Sequence, residues 1–234
     1  MTATATLYGI PGSHAVRSGE LMLEHKGIDF QRVNFPAGPH RALVRLIGFN
    51  GDRVPAVKFE DGRRAQGTRE LPRVLDKLVP ESRLVPDDPR ALEAERWADD
   101  VLQQWARRMV ASTGSRNPDA LAGRGADGRL GKLLSPFEQP RRVTARLVLV
   151  AFRVTKEQLR DDRERTGEIL DRVDAWIAEG VLNGEELRSP DFSIASSLAL
   201  AEYIVALQPE LRRRPLWELL ERVFSGRGAA HGQA

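Results

Sequence analysis

The chain of 234 residues contains no cysteine. That excludes a disulfide framework, a thiolate nucleophile and a cysteine-built zinc site, so any sulfur chemistry must use a sulfur supplied by a ligand. Long apolar runs are lacking as well: no stretch approaches the roughly 18 residues of a membrane span, and the N-terminus has no basic, apolar, small-residue leader. These absences predict a soluble, cytoplasmic protein with no membrane partner. Lysine is scarce, with five of the 36 basic residues being lysine and the other 31 arginine. Against them stand 33 acidic residues, and the formal charge is only +3. Carboxylates interleave with the arginines except at Arg212, Arg213 and Arg214, a triplet that reads as a solvated helix end. A nucleic-acid partner, which requires a basic face, is therefore not expected. The four histidines, His14, His25, His40 and His231, show no metal-ligand spacing, and no metal is expected.

What is present divides into two patterns. The first eighty residues or so alternate strand and helix signals. Ala5 to Tyr8 reads as a short buried strand and residues 14–26 as a helix, with Val16, Leu21, Met22 and Leu23 on its apolar side and Gly27 as its stop. Ile28 to Phe35 alternates as a half-buried strand does, and a short helix is expected near 39–47. Pro55–Phe59 and Arg63–Gln66 flank Asp61-Gly62, a strong hairpin signal, and a helix is expected from an N-capping Thr68 to Leu78.

The stretch "PESRLVPDDP" over 80–89 holds three prolines and reads as a linker between domains spanning 1–79 and 90–234. Beyond it the periodicity is helical. "PRALEAERWADDVLQQWARRMV" places Leu92, Trp97, Val101 or Leu102, Trp105 and Met109 on one face of a single long helix. The Gly-, Ser- and Pro-rich residues 113–140 read as a loop, and helices are expected near 141–154, 156–180, 194–207 and 215–224. Trp97, Trp105, Trp176 and Trp217 fall on apolar helix faces as core residues.

Three places can carry chemistry. Ser13 stands at a helix entrance after "LYGIPG", where a hydroxyl can cap the helix or donate to an anion. In "RVPAV", Pro55 opens a strand, the kind of position where a cis peptide turns the preceding backbone outward and leaves Val54 N–H and C=O able to pair with an extended ligand. In "QGTREL", the start of the last helix of the first half offers free N–H groups to a carboxylate.

The order βαβ–ββα with "VPAV" before the hairpin and "GT" at the last helix, the proline-rich linker and the all-helical second half resemble the soluble glutathione S-transferases over about residues 5–225. The resemblance implies a thioredoxin-like α/β domain followed by an all-α domain, with glutathione as co-substrate in the cleft between them. It makes Ser13, aligned by "KGIDF" at 26–30, the serine-type catalytic residue, with Tyr8 on the first strand as the second candidate. It makes Pro55 the cis proline, Val54 the backbone partner of the thiol peptide, Gln66 and Gly67 part of the cofactor-binding turn, and Thr68 the capping residue at the γ-glutamyl carboxylate. The second substrate implied is a small hydrophobic electrophile, with Trp105 as a candidate wall of its pocket, and the assembly implied is a homodimer.

Three departures accompany the match. Arg17 falls one place early, with Ser18 in the family's arginine slot. Gly67 stands where Glu or Gln is common, and "SIAS" at 193–196 keeps the hydroxyl of a helix-capping box without its carboxylate. They leave open a related small thiol in place of glutathione, and a non-catalytic binding or scaffold protein of the same fold.

Overall fold

The computed structural model describes residues 4–36, 38–121, 129–130 and 138–225. The first half contains β1 (Thr4–Gly9), α1 (His14–His25), β2 (Asp29–Asn34), α2 (His40–Leu46), β3 (Ala56–Phe59), β4 (Arg64–Gln66) and α3 (Glu70–Leu78). The sheet order is β2-β1-β3-β4. β1 runs parallel to β2 and antiparallel to β3, with Tyr8 opposite Val33 on one side and Ala56 on the other.

Alternation along β1 sends Ala5 and Leu7 into the main core, where Val16, Met22, Leu71 and Leu75 meet Val57 and Phe59. Tyr8 points to the other face and joins Val44, Phe49 and Ala56 under α2. Gly9 lets α1 approach the strand, since a Cβ there would lie 2.6 Å from Val16 Cγ1. The Asp61-Gly62 turn closes the hairpin with Gly62 at φ +87°. This is the thioredoxin-like architecture.

The second half contains α4 (Pro89–Trp97), α5 (Gln103–Arg116), α6 (Glu138–Ala151), α7 (Lys156–Glu164), α8 (Thr166–Ala178), α9 (Ser189–Ala201), α10 (Gln208–Arg212) and α11 (Leu216–Ser225). All thirteen residues of α9 are buried, and it packs against α1, α4, α5 and α11. The Trp97 and Trp176 rings meet edge to face at 5.2 Å. Glu95, 1% exposed, accepts both Arg73 guanidinium nitrogens at 3.1 and 2.7 Å and the Ser189 hydroxyl at 2.6 Å, tying α3, α4 and α9 together. The segment after α3 is held just as firmly. The buried Lys26 ammonium donates to Val79 O at 2.7 Å and Glu81 O at 2.8 Å and pairs with Asp76 at 2.8 Å. Asp76 in turn accepts the Leu84 and Val85 N–H groups.

Several elements differ from the sequence reading. The long helix is interrupted by a π-helical turn at Ala98–Leu102, which inserts one residue and leaves Leu102 in the core and Val101 half-exposed. The helix read over 156–180 breaks at Arg165 into α7 and α8. The loop read over 113–140 begins only after α5 ends at Arg116, and most of it lies outside the described residues. α9 starts at Ser189, earlier than residue 194, because the Asp191 carboxylate accepts Arg188 N at 2.7 Å and Asn183 N at 2.8 Å. Ser193 thus lies inside the helix, where its hydroxyl bonds that of Ser18 at 3.2 Å. α3 begins at Glu70 with no side-chain cap, because the Thr68 hydroxyl turns to Asp99. The arginine triplet is not simply solvated, since Arg214 binds Asp171, Asp174 and Glu210 and Arg213 binds Glu210.

Candidate functional site

Ser13 occupies the N-cap of α1 in extended conformation (φ −77°, ψ 117°), where its Oγ accepts Val16 N–H at 3.3 Å. The oxygen serves as the cap, and the hydroxyl proton has no acceptor among the described residues. No acidic side chain enters the first turn of α1, so the positive end of the helix is not neutralised there. The loop before Ser13 is pinned by Arg32, whose guanidinium reaches Ile10 O at 3.3 Å and also pairs with Glu20. Arg17 serves the same network, bonding Glu20 at 3.1 Å and Glu24 at 3.3 Å. Ser18, in the next position, is fully buried against α9.

Pro55 abuts this helix: a Cβ on Gly19 would lie 3.1 Å from the proline ring. The Val54–Pro55 peptide is cis. Val54 is half-buried, and neither its N–H nor its C=O has a partner among the described residues. Pro55 O accepts Gly67 N–H at 2.8 Å, and Gly67 turns the chain at φ +84°. The Gln66 amide is committed to the loop ahead of Val54, accepting from Gly51 N and donating to Arg53 O, each at 2.9 Å. Thr68, 4% exposed, donates its hydroxyl to Asp99, while Gln103 Nε2 reaches Asp99 at 2.5 Å. Burial raises the Asp99 carboxyl above its ordinary range, against the pull of the Thr68 hydrogen bond and Arg69, and Asp100 and Glu95 push the same way as burial. The Thr68 and Arg69 N–H groups at the mouth of α3 have no partner among the described residues.

Tyr8 stands apart from Ser13. Its ring stacks on Phe35 at 5.7 Å and meets Phe49 edge to face at 6.1 Å, within the cluster beneath α2.

Sequence reasoning passes over Arg107, and at His14 it expects a partly exposed structural histidine where the structure buries the ring. His14, next to Ser13, is 4% exposed and its Nε2 has no partner among the described residues. Burial, reinforced by the Arg107 charge, holds its pKa well below the usual imidazole value, so the ring is neutral at neutral pH. Arg107 on α5 is half-buried, lies with its guanidinium 4.6 Å from the Phe152 ring centroid and bonds Gln104 Oε1 at 2.9 Å. Its pKa is pushed down to about 10 by burial and by Arg108 and Arg41, with Asp99 opposing, and it stays charged at neutral pH. Arg107 forms one side of a shallow groove of about 50 Å3 whose walls include Gln104, Val148, Leu149, Phe152 and Val154. Trp105 does not line it: the indole is fully buried and donates to Asp162 O at 3.1 Å. Among the described residues no cluster of three or more His, Asp or Glu side chains could hold a metal ion, and no helix is long and apolar enough to cross a membrane. His231 lies outside the described residues.

Comparison with solved structures places this geometry. The glutathione S-transferase CsGST63524 of Ceriporiopsis subvermispora, in complex with glutathione, superposes with a TM-score of 0.68 at 13% identity, over 98% of this chain and 99% of that one. The chain has the glutathione transferase fold. The glutathione transferase GSTFuA3 from Phanerochaete chrysosporium is similar at TM-score 0.66 and 15% identity, over 98% of this chain and 100% of the other. FzlA from C. crescentus is similar at 0.57 and 17%, over 99% of this chain and 95% of that one. No family model and no curated protein sequence matches the chain. On a glutathione transferase fold, Ser13, Val54 and the mouth of α3 belong to the thioredoxin-like half, and the Arg107 groove to the helical half.

Proposed function

We propose that the protein is a glutathione transferase-like enzyme that activates the thiol of glutathione, or of a related small thiol, for attack on an electrophile. The observation that carries this reading is the Ser13 hydroxyl. Its oxygen caps α1 while its proton is left without an acceptor among the described residues, at the positive end of a helix with no acid in its first turn. A thiol of pKa about 8.5 is mostly protonated at neutral pH, and each unit of lowering takes about 1.4 kcal/mol of preferential thiolate binding. A hydrogen bond from Ser13 to the sulfur anion supplies about 1.5 to 3 kcal/mol and the helix end about 0.3 to 1. Serine stays protonated throughout. The thiol proton leaves to water, the sulfur forms a bond to the electrophilic carbon, and a leaving group such as chloride departs with its bonding pair.

The unpaired Val54 N–H and C=O fit the backbone of the thiol peptide, as an added strand would. The free N–H groups of Thr68 and Arg69 fit a γ-glutamyl carboxylate, with Asp99 behind Thr68. Gln66 and Gly67 shape the turn beside Pro55, and Tyr8 is second to Ser13. A cytoplasmic homodimer completes the reading.

Isothermal titration with glutathione and conjugation of chlorodinitrobenzene, for wild type and Ser13→Ala, test it. Expected are thiol binding by wild type, a fall of about tenfold or more in kcat/KM for Ser13→Ala, and a thiol pKa in the complex about one unit higher. Ser13→Thr, which keeps a hydroxyl, recovers part of the rate.

A second reading, a binding protein that has lost the thiol site, is favoured by one set of contacts. The Gln66 amide, the Thr68 hydroxyl and the Arg17 guanidinium are all engaged within the protein. Absence of thiol binding in wild type, with both forms equally inactive, decides for it.

A further inference from the structure

We propose that the electrophile carries an anionic group, a carboxylate or sulfonate on an apolar body, and that Arg107 holds that group in the groove between α5 and α6, with Arg41 of α2 adding charge from across the Phe152 ring. The inference rests on the transferase reading for the reaction, and on the Arg107 surroundings alone for the anion.

Arg107 is the exception among the half-buried arginines of the described residues, the others each having a carboxylate partner. Arg108, its neighbour, grips Asp162 through two nitrogens at 2.6 and 2.7 Å. Arg73 grips Glu95, and Arg214 grips Asp171 and Asp174. Arg107 has no carboxylate within ion-pair distance among the described residues, and its one acceptor is the neutral Gln104 amide. A guanidinium offers five N–H donors, and a half-buried one left without an anion is costly. A second cation makes the imbalance larger: Arg41 on α2 lies 5.9 Å from the same Phe152 ring that Arg107 covers at 4.6 Å, and it too has no ion pair among the described residues. The downward pull on Arg107 comes first from burial and then from Arg108 and Arg41, the signature of a positive pocket.

The rest of the groove sets the body of the ligand. Val148, Leu149, Phe152 and Val154 form an apolar wall for the ligand's body to lie against, while the cavity beside Arg107, about 50 Å3, takes only a small head group. Arg107 is close enough to His14, the residue after Ser13, to disfavour its imidazolium. An anionic electrophile anchored at Arg107 would thus present its carbon to a thiolate at the mouth of α1, with no carboxylate on the first turn of α1 to repel it.

The test compares chloronitrobenzoate with its uncharged amide in the glutathione reaction, and titrates anilinonaphthalene sulfonate by fluorescence without thiol. For Arg107→Met, the ratio of kcat/KM for the benzoate to that for the amide is expected to fall about tenfold or more, and sulfonate affinity to fall by a similar factor. Arg107→Lys recovers part of both, and the exposed Arg41→Ala gives smaller losses in the same direction. Sulfonate affinity in wild type weakens as salt rises. If neither electrophile reacts but sulfonate binding depends on Arg107, the transferase reading fails and the anion site stands. Should the substrate ratio and the sulfonate affinity be the same in wild type and Arg107→Met, the anion site is refuted while conjugation stands. If Arg107→Met instead raises KM for glutathione with both electrophiles at an unchanged ratio, the anion is the thiol's own carboxylate and the proposal is overturned.

Discussion

Replacing Lys26 by methionine probes how the protein fastens the segment that follows α3. The ammonium is 0% exposed and has three acceptors, Asp76 at 2.8 Å, Val79 O at 2.7 Å and Glu81 O at 2.8 Å. Methionine fills the space but leaves these groups unpaired. Breaking a buried ion pair from one side costs about 3 to 5 kcal/mol. Asp76 keeps its bonds from Leu84 N and Val85 N and is partly exposed, so the lower end, about 3 kcal/mol, applies. Urea unfolding followed by far-UV circular dichroism measures this directly.

The pH dependence gives a second check. Burial alone would raise the Asp76 carboxyl, but the Leu84 N–H, Lys26 and the Val85 N–H outweigh it and hold the pKa below the ordinary value. A depressed native pKa gives stability that is full above the unfolded value, about 3.9, and is lost as pH falls through the native one. The gap between wild type and Lys26→Met should therefore narrow in acid. In a double-mutant cycle with Asp76→Asn, the two substitutions should couple by more than about 1 kcal/mol. A cost below about 1 kcal/mol at neutral pH, with no coupling, refutes the account of the clamp.

Other outcomes follow from single contacts. Ser196→Ala should be neutral or stabilising by up to about 1 kcal/mol in chemical denaturation, because the buried Ser196 Oγ has no hydrogen-bond partner to lose. Gly9→Ala should destabilise by about 1 to 3 kcal/mol, since the new Cβ would sit 2.6 Å from Val16 Cγ1 and 2.9 Å from Val16 Cγ2. Trp105→Phe should cost about 1 to 3 kcal/mol, as the change leaves Asp162 O without the indole N–H in the core. The Asp191 carboxyl, raised to about 6 by burial against its backbone bonds from Asn183 and Arg188, should titrate by carbon-detected NMR near that value. A raised native pKa makes its contribution to stability full below about pH 4 and lost as pH climbs through the native value.

Local chemistry made the first half legible. Ser13 before an apolar periodic run, Gly27 after it and Asp61-Gly62 between short strands each act within a few residues, and α1 and the hairpin lie where these signals put them. The interrupted helix left a trace, since the step from Trp97 to Leu102 is longer than one regular turn and the apolar pattern admitted either Val101 or Leu102. The π-helical turn resolves it in favour of Leu102. The start of α9 was misread because the carboxylate that organises it, Asp191, precedes the "SIAS" motif and bonds Asn183 from the preceding loop. Thr68 has the chemistry of a cap, but a carboxylate 31 residues along the chain competes for its hydroxyl. Arg107 was illegible for the same reason. Spacing shows that Arg107 and Arg108 flank the buried faces of Trp105 and Met109, but which arginine finds a carboxylate depends on Asp162, 54 residues beyond Arg108.

The rod at the centre of the molecule has one more consequence. α9 is encased along its whole length and is shared by the sheet-bearing half, through α1, and by the helices behind it. Opening the two halves like a book would strip water-shielded surface from the face of that rod that α1 covers, so α9 resists their separation. Away from it, α2 and the end of α6 present exposed Leu46, Val150 and Phe152. Exchanging those outer side chains leaves the axle untouched.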